Sequence, residues 1–245
     1  MIIVENLSKK FPGKQVLKNV SCKIEDGDIF SVIGPSGIGK STFIKCMIRL
    51  LKPDSGRIEV DGANIADIED EFELAKARRS FGYLFQEGAL FDSLTVMENV
   101  SFGLKYLTDI PAFKHSAVVS EKLALVGLNN VENLKPAELS VGMKKRVALA
   151  RAVATGPKYV LYDEPTTGLD PVTGEMVTEL ILDMKKKTGV TSVVVTHDVK
   201  LALRISTRVA MLYDGEFTAV EPPEKFQRLM NPEIREFIEI SSRQR

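Results

Sequence analysis

The distribution of apolar and polar residues divides the chain into segments with strand periodicity and segments with helix periodicity. Two alternating segments, residues 2–7 and 15–24, flank a turn and predict half-buried antiparallel strands. Short apolar runs rich in β-branched residues follow, and each predicts a buried strand: 28–33, 81–85, 159–164 and 191–198. An Asp-Gly pair at 214–215 predicts a hairpin, and two amphipathic helices are predicted at 222–230 and 232–240. Segments with helical spacing, such as 42–51, lie between the strand-like runs. This order favours an α/β fold with parallel strands.

The middle of the chain has a different pattern of apolar and polar residues. Residues 87–155 contain no convincing strand pattern, and this region is predicted to be helical. Thr95 and Glu98 have the spacing of a capping box, which predicts that a helix begins there. Ser140 is a natural N-cap for a second helix that runs through Arg151.

Composition and charge narrow the class of protein. The chain has 245 residues, 44% of them hydrophobic, which allows a sizeable core. Lys and Arg number 33 and Asp and Glu number 33, so no net charge draws the chain toward nucleic acid or anionic lipid. The cysteines, Cys22 and Cys46, lie in apolar surroundings and suggest buried, reduced thiols. No apolar run reaches the ~18 residues that a membrane-spanning helix needs.

One glycine-rich stretch carries the strongest chemical signal. Residues 34–41, GPSGIGKS, fit the pattern G-x-x-x-x-G-K-[ST] and lie between a predicted strand and a predicted helix. Glycine lets the backbone approach a phosphate and point its N–H groups at it, with the helix dipole behind them. A glycine turn with a chance lysine is the alternative, and the flanking strand and helix disfavour it. The predicted nucleotide contacts are Gly34, Pro35, Ser36, Gly37, Ile38, Gly39, Lys40, Ser41 and Thr42.

Polar residues end three of the predicted buried strands. In parallel sheets, ligands bind at the carboxyl ends of the strands. We interpret Asp163 as the Mg²⁺ carboxylate and Glu164 as the base that polarises the attacking water, because two adjacent acids are costly without such a task. Gln86 is expected to orient a water or complete the Mg²⁺ shell, or else to be an ordinary loop glutamine. His197 is expected to contact the γ-phosphate, although a lone histidine is usually structural.

Three further features give weaker signals. Phe11 and Val16 flank the first turn, where an aromatic ring could stack on a purine or pack on the sheet. Residues 144–146, Lys-Lys-Arg, are interpreted as a solvated helix face. Asp170 is a natural N-cap for the helix that begins at Pro171.

Taken together and in this order, these motifs resemble the nucleotide-binding subunits of ABC transporters over essentially the whole chain. The motifs that carry the resemblance are GPSGIGKS, Gln86, LSVGM at 139–143, YVLYDE at 159–164, GLD at 168–170 and His197. Within that family, the segment at 85–100 and a signature that ends in Gly-Met are most similar to the ATPases of MCE-linked, Mla-type phospholipid transporters.

The resemblance implies a fold: an α/β P-loop ATPase core with an antiparallel β subdomain and an inserted helical subdomain. It implies a single nucleotide-binding domain over 1–245, with the core in 1–86 and 156–220, the helical signature subdomain in 87–155 and terminal helices in 221–245.

The resemblance also implies site roles. Phe11 would stack on adenine, Gln86 would be the Q-loop glutamine and Asp170 the D-loop aspartate. Ser140 and Gly142 would contact the γ-phosphate held by a second copy of the chain.

The implied cofactors are ATP and Mg²⁺, and the implied partners are a second copy in a head-to-tail homodimer and a membrane permease, with an MCE-type substrate-binding protein as a further candidate. No nucleic acid is expected. The chain would lie on the cytoplasmic face of the inner membrane through its permease.

The chain departs from the family pattern at one motif. The signature is usually LSGGQ, and Val141 and Met143 replace the glycine and glutamine here. Because Ser140 and Gly142 are kept, we expect ATP hydrolysis through a weaker cross-dimer contact. The alternatives are a soluble ABC protein of DNA repair or translation, an ATPase for another transported substrate, and a regulatory module without turnover.

The segment after the Q-loop glutamine, residues 88–94, contains Leu90 and Phe91. These side chains either complete the helical core or form an apolar surface that receives a short helix of the permease.

Overall fold

The computed structural model describes residues 1–243 and divides them into two compact units. Within the described residues, the first unit comprises residues 1–78 and 189–243, and the second comprises residues 79–188.

The described residues contain ten strands in chain order. They are β1 (Ile2–Phe11), β2 (Lys14–Ile24), β3 (Ile29–Ile33), β4 (Ser55–Val60), β5 (Ala63–Asn64), β6 (Phe81–Leu84), β7 (Tyr159–Asp163), β8 (Thr191–Thr196), β9 (Arg208–Tyr213) and β10 (Glu216–Glu221). The α-helices are α1 (Lys40–Met47), α2 (Glu71–Arg78), α3 (Val96–Leu107), α4 (Ala112–Leu125), α5 (Val141–Val153), α6 (Pro171–Thr188), α7 (Val199–Ile205), α8 (Pro223–Phe226) and α9 (Pro232–Arg243). A single 3-10 turn spans Pro136–Glu138.

The first unit contains an antiparallel sheet in the order β2-β1-β4-β5. Its alternating sequence buries one face, as in Ile2, Val4 and Leu7 of β1. The turn between β1 and β2 contains Gly13 at φ 79°, a left-handed conformation that glycine adopts without strain. The antiparallel prediction for residues 2–24 is therefore confirmed.

The same unit contains a second set of strands, in which β3 lies between β8 and β9 and runs parallel to both. All five residues of β3 and all six of β8 are buried, which is the expected sequence signature of a parallel strand covered on both faces. Strand β10 pairs with β9 through a hairpin at Asp214 and Gly215, as predicted.

The second unit combines two parallel strands with four helices. Strand β6 pairs with β7, and α5 packs against β6, α3 and α4. The predicted capping box of α3 is present: Glu98 N donates to Thr95 Oγ1, and Thr95 N donates to Glu98 Oε2. Ser140 caps α5 by accepting a hydrogen bond from Met143 N. Helix capping was thus readable from the sequence at both positions.

Two boundaries differ from expectation. Helix α1 begins at Lys40 instead of Thr42 and ends at Met47. The segment after Pro222, predicted as an amphipathic helix, forms only the four-residue α8 before the chain turns into α9. Phe226 is nonetheless fully buried, and it gives this short segment its apolar character.

Candidate functional site

The glycine-rich loop joins β3 to α1 in the first unit. Gly34, Gly37 and Gly39 have φ values of 154°, 74° and 120°, a region that favours glycine. A Cβ atom at Gly34 would overlap the carbonyl oxygen of Leu212, and one at Gly39 would lie 2.6 Å from Cγ1 of Val16. Both glycines are therefore required by close packing as well as by backbone conformation.

Residues of the β1–β2 hairpin lie beside this loop. Val16 is 9% exposed and packs against Gly39, so its side chain supports the loop. The ring of Phe11 is 40% exposed, and the Lys9 ammonium lies 5.7 Å from its centroid. An exposed aromatic face on this hairpin is available for stacking.

Lys40 is buried, and its ammonium points back along the loop. Its Nζ donates to the carbonyl oxygens of Gly34 at 2.9 Å and Pro35 at 3.0 Å. The positive charge thus lies within the loop, where it can attract the phosphate oxygens of a nucleotide. Ser41 follows in the first turn of α1, which places its hydroxyl at the helix N-terminus.

His197 lies at the same sheet edge as the glycine-rich loop. Ile33 pairs with Thr196 in parallel register, so the chain leaves β3 at Gly34 and β8 at His197 at the same level. Asp198 then caps α7 by accepting from Leu201 N. The first unit therefore brings Val16 against the loop and His197 level with its start, and Phe11 lies on the same hairpin as Val16.

The second unit repeats this arrangement on its own strands. Leu84 of β6 pairs with Tyr162 of β7, so Gln86 follows one strand end and Asp163 and Glu164 occupy the next. Gln86 is exposed, whereas Asp163 and Glu164 are 3% and 7% exposed. Parallel register thus brings the predicted Q-loop glutamine and both predicted carboxylates to one edge.

A tyrosine that the sequence analysis did not single out contacts Asp163. The phenol of Tyr83 on β6 donates to Asp163 Oδ2 at 3.1 Å. Burial raises the pKa of Tyr83, and the Asp163 carboxylate raises it further, so the phenol stays protonated and remains a donor. Tyr83 therefore orients the predicted metal ligand, as outer-shell partners of metal ligands commonly do.

Glu164 has an unusual backbone for a non-glycine residue, with φ 49°. Such left-handed conformations cost about 1–3 kcal/mol and cluster at functional sites. Its side chain accepts a hydrogen bond from Thr167 Oγ1 at 3.0 Å. The strained backbone and this hydrogen bond together fix the direction of the carboxylate.

The interpretation of residues 144–146 as a solvated face is wrong for Lys145, which is 4% exposed. Its Nζ donates to three carbonyl oxygens: those of Gln86 at 2.6 Å, Glu164 at 3.0 Å and Thr167 at 3.4 Å. Burial lowers the pKa of Lys145, and nearby carboxylates, Glu164 foremost, act in the opposite direction.

Helical spacing could have revealed the burial of Lys145. The residue precedes the apolar Ala148, Leu149 and Ala152 by three, four and seven positions, and all three are buried on the inner face of α5. Its position on that face outweighs the charge of the run in which it lies.

The signature segment opens α5 at the surface. Ser140 is exposed, and Val141 is 64% exposed. A Cβ atom at Gly142 would lie 2.8 Å from Cγ2 of Thr173 in α6, so glycine is required here by packing. Packing against Thr173 therefore explains why glycine is retained at position 142. No such contact requires glycine at the exposed position 141, where this chain has valine.

Asp170 caps α6. Its carboxylate accepts from Thr173 Oγ1 at 2.6 Å and from the backbone N–H groups of Thr173 and Val172 at 3.0 and 3.1 Å. These hydrogen bonds, that from the Thr173 side chain first, lower the pKa of Asp170. The N-cap prediction is confirmed, and the side chain is engaged locally.

The donor set suits Mg²⁺ held with a nucleotide. No group of three or more His, Cys, Asp or Glu side chains within residues 1–243 forms a dedicated metal cage. Mg²⁺ in nucleotide sites needs none, since one or two carboxylates, phosphate oxygens and waters complete its shell. The second unit supplies such a carboxylate in the buried Asp163, and the first supplies a hydroxyl in Ser41 at the start of α1.

A glycine-rich loop before a helix, with carboxylates at parallel strand ends, defines a phosphate-binding nucleotide hydrolase. A family profile described as "ABC transporter" matches residues 17–167, more than half of the chain. The chain belongs to the ABC transporter family of ATP-binding proteins. As a member, it is an ABC-type ATPase that binds ATP with Mg²⁺.

Three relatives show the kinds of protein to which the chain is similar. The chain is 38% identical over 237 residues to the "Probable ribonucleotide transport ATP-binding protein mkl" of Mycobacterium tuberculosis, covering 97% of this chain and 66% of that protein. It is 41% identical over 218 residues to the "Methionine import ATP-binding protein MetN" of Carboxydothermus hydrogenoformans, covering 88% and 64%. It is 40% identical over 253 residues to "Protein TRIGALACTOSYLDIACYLGLYCEROL 3, chloroplastic" of Arabidopsis thaliana, covering 97% and 73%. The chain thus spans slightly under two thirds of the first two.

Two solved structures have the same fold. A dimeric, post-hydrolysis structure of the ATP-binding cassette MJ0796 with ADP and Pi matches with a TM-score of 0.83 and 37% identity, covering 91% of this chain and 99% of that one. The structure of cbiO1 from Clostridium perfringens, part of the ABC transporter complex cbiONQ, matches with a TM-score of 0.82 and 30% identity, covering 97% and 98%. The predicted fold class is therefore confirmed.

Replacing Lys40 with alanine should weaken ATP binding and turnover together. The change removes a charge-assisted contact worth about 1.5–3 kcal/mol, or about tenfold to a hundredfold in affinity. Titration calorimetry with MgATP measures the loss, and Lys45→Ala, further along α1, is the matched control that should bind normally. Unchanged affinity in Lys40→Ala would sink the role assigned to this lysine.

Replacing Glu164 with glutamine should abolish turnover and preserve binding. The amide keeps the shape of the side chain and loses the base, so kcat should fall by about 10²–10⁴-fold with an unchanged Kd for MgATP. Single-turnover hydrolysis measures this loss, and the exposed Glu179→Gln on α6 serves as control. Hydrolysis by Glu164→Gln at the native rate would show that another group is the base.

Proposed function

We propose that the chain is the ATP-hydrolysing subunit of a transporter that moves phospholipid through a separate membrane permease. The observation that carries the ATPase part is the common edge formed by Gln86, Asp163 and Glu164 at the ends of β6 and β7.

In this proposal each site residue has a defined role, and Gln86 has two. Lys40 and the loop hold the phosphates, and Phe11 stacks on the adenine beside Val16. Glu164 is the general base, assisted by Gln86 and His197. Ser41, Asp163 and Gln86 hold Mg²⁺. The buried, hydrogen-bonded Glu164 supports the choice of base, because a base must be aimed at the attacking water.

Two copies of the chain assemble head to tail around two nucleotides. Ser140 and Gly142 of one copy contact the γ-phosphate bound by the other, and Asp170 lies near that contact. The exposure of Ser140 and Val141 supports this, since a segment that meets a second chain must be at the surface. The dimeric structure of the MJ0796 cassette supports it by analogy.

The permease docks on an apolar cavity in the second unit. The cavity, about 410 Å³, is lined mainly by apolar side chains of β6, α3 and the segment after Gln86, among them Phe85, Phe91, Phe102 and Leu107. Phe91 is 44% exposed, which disfavours the alternative that it completes the helical core. An exposed apolar groove of this kind suits a short helix of a partner.

The walls of this cavity are held in place. The rings of Phe91, Phe102 and Tyr106 form a ladder with centroid separations of 4.9 Å at each step. Arg151 donates to the carbonyls of Gly88 and Ala89, and its guanidinium lies 5.8 Å from the Phe91 ring centroid. The groove and the Q-loop segment are therefore tied to α5, which supports docking as the route from permease to ATPase.

Phospholipid is the proposed substrate because of two sequence features and one relative. The segment at 85–100 and the Gly142–Met143 ending of the signature resemble Mla-type ATPases, and the Arabidopsis relative carries the name of a glycolipid. An MCE-type substrate-binding protein would be the further partner. The relatives named for ribonucleotide and methionine transport favour the second candidate, an ATPase for another substrate.

The proposed location is the cytoplasmic face of the inner membrane, reached through the permease. Among the described residues, no helix combines the length and the apolarity that crossing a membrane demands. A separate membrane subunit is therefore part of the proposal. With equal numbers of acidic and basic residues, nucleic acid is not a proposed partner.

Replacing Phe91 with glutamate should abolish co-purification with the permease. A carboxylate in the apolar cavity cannot be desolvated without cost, whereas the phosphate loop lies in the other unit and should still bind ATP. Affinity purification of the co-expressed complex measures the loss. Phe113→Glu on α4 is the matched control, because Phe113 is 81% exposed and outside the cavity. Full permease binding by Phe91→Glu with a native melting temperature would contradict the docking surface.

The substrate proposal predicts which molecules accompany the complex. Purified with its permease from detergent-solubilised membranes, the complex should carry phospholipid that is enriched over bulk membrane lipid, and extraction followed by mass spectrometry measures this. In nanodiscs, phospholipid should stimulate its ATPase activity, and methionine or ribonucleotides should not. The reverse pattern of stimulation would favour the second candidate.

A further inference from the structure

Lys145 joins three segments of the second unit that are far apart in sequence. Its ammonium donates to the carbonyls of Gln86, Glu164 and Thr167 over 2.6–3.4 Å. An ammonium has three protons to donate, so the three carbonyls match its capacity. The side chain that carries them starts from α5, five residues after the signature serine Ser140.

Burying the charge of this lysine costs free energy, which is unfavourable for a residue with a merely structural role. Lys145 is 4% exposed, and it donates its hydrogen bonds to neutral carbonyl groups. A buried cation without a directly bonded carboxylate is poorly compensated, and well-packed apolar side chains often stabilise a fold better.

The bonded carbonyls belong to the backbone that carries the proposed catalytic side chains. Glu164 has φ 49°, and its carbonyl direction depends on that strained conformation. The hydrogen bond from Lys145 stabilises this direction. The same ammonium holds the carbonyl of Gln86, and it holds Thr167, whose hydroxyl donates to the Glu164 carboxylate.

We propose that Lys145 is a positioning residue for ATP hydrolysis, which holds the backbone of Gln86, Glu164 and Thr167 so that the base and the Q-loop glutamine keep a productive geometry. This inference rests on the proposed roles of Glu164 and Gln86. It adds a link between the signature helix α5 and both of those residues within one unit.

The first experiment separates binding from turnover. Lys145→Met removes the charge and all three donors while keeping a similar volume, so kcat should fall at least tenfold. The Kd for MgATP should stay within about threefold, because the phosphate loop lies in the other unit. Lys145→Arg, which restores charge and donors, should recover part of the loss. Lys144→Met is the matched control, since Lys144 is partly exposed on the same helix and should retain native turnover.

A double-mutant cycle then tests whether Lys145 acts through the base. In the Glu164→Gln background, Lys145→Met should lower the residual single-turnover rate by less than about threefold, because the base is already lost and the positioning of Gln86 is all that the change can still affect. Equal, additive losses in both backgrounds would overturn the proposal, as would native kcat in Lys145→Met. If Glu164→Gln alone turns over normally, the role of the base fails instead, and the two failures are thereby distinguished.

A third readout guards against misfolding. If Lys145→Met does not fold, Lys145→Gln, which keeps two N–H donors without charge, takes its place in the same cycle. Failure of both variants to fold, judged by circular dichroism and melting temperature, would assign Lys145 to stability and overturn the proposal.

Discussion

The site depends on the register of parallel strands. Ile33 lies opposite Thr196 in one unit, and Leu84 lies opposite Tyr162 in the other. Because each pair is level, the residues that follow the two strands of a pair emerge together at one edge of that unit. A slip of one residue would turn Asp163 to the opposite face of β7 and separate it from Tyr83. The buried side chains that fix the register are thus also what fixes the chemistry.

Each unit uses a buried lysine to organise a loop. Lys40 donates to the carbonyls of Gly34 and Pro35, and Lys145 donates to those of Gln86 and Glu164. In both cases an ammonium satisfies carbonyl groups that a tight or strained backbone directs inward. Such carbonyls would otherwise be costly to bury, so the two cations stabilise conformations that the loops would not adopt alone.

The sequence predicted the parts of this arrangement that depend on local rules. The strands, the capping box at Thr95 and Glu98, the cap at Ser140 and the hairpin at Asp214 all follow from periodicity or turn chemistry. Residues whose role comes from long-range contact were missed. Tyr83 meets Asp163 only through the pairing of β6 with β7, which no local pattern specifies. Lys145 was misassigned because its charge was weighed and its place on the apolar face of α5 was not.

In the proposed dimer, one copy of the chain does not complete a catalytic site on its own. The most direct test of this claim is the ATPase activity per chain as a function of chain concentration, with sedimentation velocity run in parallel. If Ser140 and Gly142 of a second copy complete the site, activity per chain should rise with concentration and level off as dimer accumulates in MgATP. A constant activity per chain at concentrations where sedimentation shows only monomer would contradict the account.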